Sequence, residues 1–141
     1  TGIEYCKLAM LNTKDSATEI IAELETRLAD LDLDELPVTL HLNGCPNSCA
    51  RIQTADIGLK GQLIPGPDGE QVAGFQVHLG GGLRGTDRDF GELGRTVRGL
   101  KVPLTEVSVY VERLVRRFLE QRHDGEVFAA WARRVEESEL Q

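Results

Sequence analysis

The segment at residues 42–51, LNGCPNSCAR, constrains the fold most strongly, because it places two of the chain's three cysteines in one short turn. Cys45 and Cys49 are separated by three residues, and Pro46 and Asn47 between them favour a turn. Both sulfur atoms can therefore point into one small volume. A disulfide across so short a loop is geometrically awkward, so the spacing predicts a metal or cluster site.

The third cysteine, Cys6, lies near the N-terminus, and an odd number of cysteines argues against the disulfide framework of a secreted protein. Thiols that serve as ligands are typical of a reducing compartment, so we expect a cytoplasmic protein. Three other uses of the cysteines stay open on spacing alone. They are buried structural thiols, a zinc site completed by His41 or His78, and an electron-transfer module, which would need a fourth thiolate.

Length and charge exclude several classes of protein. A chain of 141 residues is the size of one domain and can bury a core without help from a metal. Its 16 basic and 23 acidic side chains give a net charge of -7, and no basic stripe carries interleaved aromatics, so we expect no nucleic acid partner. No apolar run approaches the roughly 20 residues that a membrane span requires. The sequence begins without a Met or a signal peptide, so we expect that its first residue is a cut.

Local patterns predict an α+β fold with a mixed β-sheet and flanking helices. Apolar residues at helical intervals follow a possible capping box and predict a helix at residues 16–30. A strand is predicted at residues 38–42, and a hairpin at residues 55–63 and 71–79. The turn of the hairpin is the sequence PGPDG.

The C-terminal part is predicted to be helical from about residue 103. Residues 103–121 form the clearest amphipathic helix of the chain, and a last helix carries Phe128 and Trp131, for which the simplest role is to anchor the core. Glycine-rich sequence near residues 80–82 and 91–99 indicates either a backbone that closely approaches another group or tight loops, and loops are the simpler interpretation.

The residues TGIEYCKLA at 1–9 and LNGCPNSCARIQTADIGLKG at 42–61 are similar to the C-terminal cluster-binding segment of the siroheme- and [4Fe-4S]-dependent sulfite and nitrite reductases. The similarity continues through FQVHLGG at 75–81 and FAAWARRV at 128–135, so it covers essentially the whole chain. Within this family, the sequence of these segments most closely resembles that of the ferredoxin-dependent sulfite reductases of actinobacterial type. The resemblance implies that residues 1–141 are one cluster- and siroheme-binding segment with that family's fold, truncated at the N-terminus.

The resemblance also implies the ligands. In this family they form C-x5-C followed by C-x3-C, and Cys6, Cys45 and Cys49 fall on the second, third and fourth of them. The first ligand would lie immediately before Thr1. By the same resemblance, Cys49 is the residue whose sulfur bridges a cluster iron to the siroheme iron.

Two neighbours of the ligands are further candidates by resemblance. Asn47 and Arg51 would support the cluster or the carboxylates of the siroheme, although a surface or interdomain ion pair is an equally simple use of Arg51. The family's substrate-binding Arg and Lys residues belong to the portion N-terminal to this segment. We therefore expect no catalytic residue within residues 1–141 and no turnover by this segment alone.

The activity that the resemblance implies is the six-electron reduction of sulfite to sulfide at siroheme coupled to a [4Fe-4S] cluster. Ferredoxin is the expected electron donor, and reduction of nitrite to ammonia is the alternative reaction of the same family. The expected partners are the N-terminal remainder of the same polypeptide, ferredoxin, and sulfite or nitrite.

Overall fold

A four-stranded mixed sheet lies at the centre of the computed structural model, which describes residues 2–32, 37–84 and 91–141. Strand β1, Leu40–Asn43, runs parallel to β2, Ile57–Pro65. Strand β3, Gln71–Leu79, is antiparallel to β2, and β4, Arg95–Pro103, is antiparallel to β3. The strands therefore follow each other in chain order across the sheet, and the mixed sheet predicted from the sequence is confirmed.

Three α-helices accompany this sheet within the described residues. They are α1, Thr13–Arg27, α2, Val107–Gln121, and α3, Phe128–Arg134. Short 3-10 turns cover Ile52–Thr54, Leu104–Glu106 and Glu137–Leu140. None of the helices in these parts of the chain has the length and hydrophobicity needed to cross a lipid bilayer.

The predicted bounds of α1, residues 16–30, are wrong by three residues at each end. Asn12 is the N-cap, and its side chain accepts a hydrogen bond from the backbone N–H of Asp15. Ser16 lies inside the first turn, where its hydroxyl donates to the Asn12 carbonyl at 2.6 Å. At the other end, the Arg116 side chain of α2 donates to the carbonyl of Arg27. A side chain from a distant element therefore satisfies a carbonyl that the end of the helix leaves without an intrahelical partner.

The predicted hairpin is confirmed, with β2 and β3 paired along their whole length from Ile57 opposite Leu79 to Pro65 opposite Gln71. Its turn is closed by a hydrogen bond from the Gly66 N–H to the Glu70 carbonyl at 2.7 Å.

Strand β4 contradicts the interpretation of residues 91–99 as loop. Its register against β3 is interrupted, because Thr96 lies opposite His78 whereas Lys101 lies opposite Gln76. The extra residues form a bulge, and Gly99 within it has a φ of 70°, which favours glycine. The side chain of Gln76 donates to the carbonyls of Val97 and Leu100 and so satisfies the bulged backbone.

Helix α2 supplies the largest apolar face of the core. Its buried residues join those of the two central strands and of α3 in one cluster. The rings of Phe118, Phe128 and Trp131 pack with centroids 5.4 to 5.7 Å apart. The Trp131 indole N–H donates to Gln121 at 3.2 Å, which satisfies its polar atom. Trp131 is therefore a core anchor, as predicted.

We predict that Leu114→Ala, in the middle of the buried face of α2, lowers the free energy of unfolding by about 2 to 5 kcal/mol. Leu114 is fully buried, so its truncation leaves a cavity in the core. Urea denaturation monitored by circular dichroism measures the loss. The matched control is Val109→Ala on the same helix, because Val109 is 44% exposed and should change stability by less than about 0.5 kcal/mol. Equal stabilities of the two variants would contradict the packing.

A second prediction concerns acid stability. Glu126 accepts two hydrogen bonds from Arg134 and one from the His123 N–H, and these lower the pKa of its carboxyl from 4.5 to about 2. A lowered pKa in the folded state stabilises the protein above pH 4.5, and this contribution is lost as the pH falls toward 2. Denaturation from pH 7 to pH 2.5 should therefore show a smaller loss of stability for Glu126→Gln than for the parent.

The control for this experiment is Glu120→Gln, because Glu120 is exposed and makes no ion pair with the described residues. Its pH profile should match that of the parent. A Glu126→Gln profile parallel to the parent's would show that the pairing with Arg134 contributes nothing to acid stability.

Candidate metal centre

The connection between β1 and β2 carries Cys45 and Cys49 and folds back closely onto β2. A side chain at Gly58 would clash with the Ile52 carbonyl, so this position in β2 needs a glycine. A Cβ at Gly61 would lie 2.5 Å from the Asn43 carbonyl oxygen. The two glycines therefore allow both ends of the connection to approach the sheet.

Asn43, the last residue of β1, holds the cysteine turn from inside. Its side chain is 1% exposed, and its Nδ2 donates to the carbonyls of Cys45 at 3.0 Å and Asn47 at 2.6 Å. The same nitrogen lies 3.7 Å from the Cys45 sulfur, and Oδ1 accepts from the Ala50 N–H at 3.3 Å. One amide thus contacts the backbone on both sides of the turn.

No role was predicted for Asn43 from the sequence. A usable signal was present, because Asn side chains often bond to nearby backbone groups and this Asn directly precedes Gly44 and Cys45. The number and identity of its partners, however, follow only from the folded loop.

The segment that carries Cys6 is attached to the cysteine turn through Gly44. The backbone N–H groups of Met10 and Leu11 both donate to the Gly44 carbonyl, at 2.7 and 3.3 Å. Gly44 directly precedes Cys45. The structure therefore brings together the two segments that hold the three predicted ligands, although they lie far apart in the sequence.

The three thiols are free and differ in exposure: Cys45 is buried, Cys6 is half-buried and Cys49 is exposed. Within residues 2–32, 37–84 and 91–141, no group of three His, Cys, Asp or Glu side chains has the geometry to hold a metal ion. The donor chemistry nevertheless fits an iron–sulfur cluster, for which thiolates are the usual ligands. The exposure of Cys49 also fits the bridge to a siroheme iron that the family resemblance predicts for its sulfur. Thr1, before which the first ligand is expected, lies outside the described residues.

Both histidines of the zinc alternative contact other groups through Nδ1, which leaves Nε2 of each as the nitrogen that could bind a metal. His41 Nδ1 lies 3.3 Å from the Arg51 carbonyl oxygen. His78, on β3, is buried and lies 3.3 Å from the Thr96 hydroxyl through Nδ1. Its burial and the charge of Lys60 lower the pKa of the His78 imidazole. Within the described residues, neither histidine belongs to a group of three potential ligands with the geometry to hold zinc.

Arg51 has an unusual backbone for a residue with a side chain. Its φ of 51° and ψ of 45° are left-handed, whereas the other described residues with positive φ are glycines. Such a conformation costs on the order of 1 kcal/mol and persists because the surroundings hold it. Here the Arg51 carbonyl accepts from both the N–H and the hydroxyl of Thr54 at 3.0 Å.

The side chains of Asn47 and Arg51 are free to meet a group outside the described chain. Both residues are exposed, and neither side chain has a recorded hydrogen bond or ion pair with a described residue. They remain predicted, untested contacts of the cofactors.

Comparisons with known proteins identify the family of this chain. The family model "Nitrite and sulphite reductase 4Fe-4S domain" matches residues 1–141. "Sulfite reductase [ferredoxin] 1" of Mycolicibacterium paratuberculosis is 54% identical, and "Sulfite reductase [ferredoxin]" of Mycobacterium tuberculosis is 50% identical. Each match covers 99% of this chain and 25% of the relative. "Ferredoxin--nitrite reductase" of Synechococcus elongatus is 45% identical and covers 68% of this chain and 18% of the relative.

Among solved structures, the Mycobacterium tuberculosis NirA protein matches with a TM-score of 0.90 and 49% identity. The match covers 99% of this chain and 25% of the solved chain. The chain thus spans about a quarter of the length of the sulfite reductases that it matches.

We predict that the 141-residue chain, purified alone, is colourless or holds iron well below one cluster per chain. Its three cysteines supply one thiolate fewer than a cubane needs, and the exposed Cys49 leaves one side of such a cluster open to water and oxygen. Iron, zinc and acid-labile sulfide analysis with a visible spectrum tests this. A full complement of iron and sulfide, stable siroheme bands, or stoichiometric zinc would each contradict the prediction.

Proposed function

Because this chain belongs to the nitrite and sulphite reductase 4Fe-4S domain family, we propose that residues 1–141 are the C-terminal cluster- and siroheme-binding segment of a ferredoxin-dependent sulfite reductase. The complete enzyme reduces sulfite to sulfide with six electrons from ferredoxin. The observation that carries the proposal is the identity of 50 to 54% to proteins named sulfite reductase [ferredoxin] over 99% of the chain.

Nitrite is the alternative substrate. Three nitrite reductases that match are 35 to 45% identical over 68 to 84% of the chain, so their similarity is lower and less extensive. This difference favours sulfite. The side chains that bind the anion are expected in the N-terminal remainder of the polypeptide, so no residue of this segment is assigned to substrate.

Within this proposal, Cys6, Cys45 and Cys49 would hold a [4Fe-4S] cluster, and Cys49 would also serve as this segment's ligand to the siroheme. When bound, the coupled cofactors deliver electrons one at a time to the iron that carries the substrate. The chain's own contribution is geometric. Buried Cys45 is fixed by Asn43, the Cys6 segment is hydrogen-bonded to Gly44, and Cys49 is directed outward.

The flanking polar residues then support the cofactors. Exposed Arg51 offers a planar guanidinium suited to the carboxylates of siroheme, and its strained backbone fixes where that side chain begins. Asn47 offers a neutral amide beside the ligands. The activity and its donor suit a cytoplasmic enzyme without a nucleic acid partner.

Exposed apolar side chains support the N-terminal remainder of the same polypeptide as the main partner. Ile3, Tyr5 and Leu8, which flank Cys6, are 54%, 74% and 65% exposed. Contact with further polypeptide would remove this apolar surface from water.

We predict that Cys49→Ser in the full-length reductase abolishes sulfite reduction, whereas Cys6→Ala and Cys45→Ala act mainly through loss of the cluster. A serine hydroxyl stays protonated near neutral pH and is a harder ligand than a thiolate, so it cannot replace the sulfur between two irons. Activity is measured beside an electron paramagnetic resonance spectrum of the siroheme.

The three variants are each other's controls in this experiment. Near-normal turnover of Cys49→Ser, with cluster and siroheme signals still coupled, would show that Cys49 is not the bridging ligand. Full cluster content in Cys6→Ala or Cys45→Ala would show that the substituted cysteine is not a ligand of the cluster.

A further inference from the structure

Asn43 is a buried polar residue whose side-chain hydrogen bonds to the described residues all lie in the cysteine turn. The carbonyls of Cys45 and Asn47 lie on one side of its amide and the Ala50 N–H on the other, so the amide spans the turn around Cys49. Buried polar groups of this kind are retained when every partner is satisfied, because a lost partner leaves a buried group without a hydrogen bond.

These partners also determine which end of the amide faces the sulfur. Two carbonyl oxygens surround the nitrogen, and a backbone N–H faces the oxygen. A flipped amide would place oxygen against oxygen and N–H against N–H. The atom 3.7 Å from the Cys45 sulfur is therefore the donor, Nδ2. Because both of its N–H groups have a carbonyl acceptor, the sulfur shares one of them in a bifurcated contact.

The backbone that carries this donor is held rigidly by the sheet. Asn43 is paired with Lys60 in the parallel β1–β2 ladder, and the missing side chain of Gly61 lets the backbone of Asn43 and Gly44 lie close against β2. A group held on a strand positions its partner more accurately than one held on a loop. Asn43 thus connects the sheet to a loop that has little regular structure of its own.

An N–H directed at a thiolate stabilises negative charge on the sulfur. In an iron–sulfur cluster, hydrogen bonds to the sulfurs tune the reduction potential. The reduced cluster carries one more electron, so a donor at Cys45 favours the reduced form and raises the potential.

We infer that Asn43 is a positioning residue for the cluster. Its amide sets the geometry of the ligand turn through three backbone contacts, and its Nδ2–H at the Cys45 sulfur raises the reduction potential of the cluster. The redox part rests on the proposed function, whereas the positioning part concerns the chain without any cofactor.

The first experiment measures the alkylation rate of each cysteine by iodoacetamide in the native, cofactor-free chain, with mass spectrometry. Asn43→Asp keeps the shape of the side chain but turns the donor into an oxygen that faces two carbonyls. Rates are compared at alkaline pH, where the thiols are ionised in both proteins, so that the new carboxylate does not slow Cys45 by lowering its thiolate fraction. Cys45 should then react on the order of tenfold faster, because repulsion opens the turn that buries it, while the rate of the already exposed Cys49 changes by less than about twofold.

The matched control is Gln76→Glu. Gln76 is another amide that donates to backbone carbonyls, those of Val97 and Leu100, and it makes no contact with a cysteine. This variant should leave the rate at Cys45 unchanged. An unchanged Cys45 rate in Asn43→Asp, or an equal acceleration in Gln76→Glu, would overturn the positioning role.

The second experiment uses the full-length, cluster-loaded reductase and compares Asn43→Ala with Gln76→Ala. Loss of the donor without added charge should lower the equilibrium constant for reduction of the cluster by about tenfold, or about 59 mV for one electron. Loss of the cluster in Asn43→Ala alone would also support the inference. An unchanged potential, or loss of the cluster in both variants, would contradict it.

The two experiments separate this inference from the proposed function. If the parent full-length protein binds no cluster, the proposed function and the redox role both fail. The alkylation rates still decide whether Asn43 positions the turn.

Discussion

The parallel pairing of β1 with β2 is the contact on which the candidate site depends. Parallel neighbours cannot be joined by a tight hairpin, so the chain must leave the end of β1 and return to the start of β2. The connection, from Gly44 to Asp56, is long enough to hold both Cys45 and Cys49 and a 3-10 turn. Its close return to the sheet requires Gly58, and Asn43 holds its first half.

Much of the fold was predictable where the signal is local. The hairpin of β2 and β3 has a strong turn sequence, and α2 has a continuous apolar face, so both are confirmed. The predicted start of α2 at residue 103 is wrong, because Pro103 ends β4 and a 3-10 turn precedes the helix at Val107. Strand β4 was missed because Gly99 and exposed charged residues interrupt its pattern, and the side chain that satisfies the bulge, Gln76, comes from another strand. The end of α1 depends on Arg116 of α2, which no local pattern reveals.

The candidate site divides in a similar way. The cysteines are conspicuous by residue type and spacing, and the resemblance to the reductase family predicts their role as ligands without knowledge of the fold. Asn43 was missed because its role depends on three partners that only the folded turn brings within reach. The left-handed backbone of Arg51 could not be predicted from the sequence either, since Arg carries no preference for that conformation.

We propose that the Cys49 sulfur binds a siroheme iron, while Cys6 and Cys45 hold the cluster beside it. Diffraction from crystals of the full-length protein at the iron absorption edge tests this most directly, because the anomalous signal locates every iron atom. We expect the Cys49 sulfur to lie between the siroheme iron and one iron of the cluster, and the Cys45 sulfur to bind a different iron of the cluster. A cluster without these cysteines as ligands, or a Cys49 thiol without an iron neighbour, would contradict it.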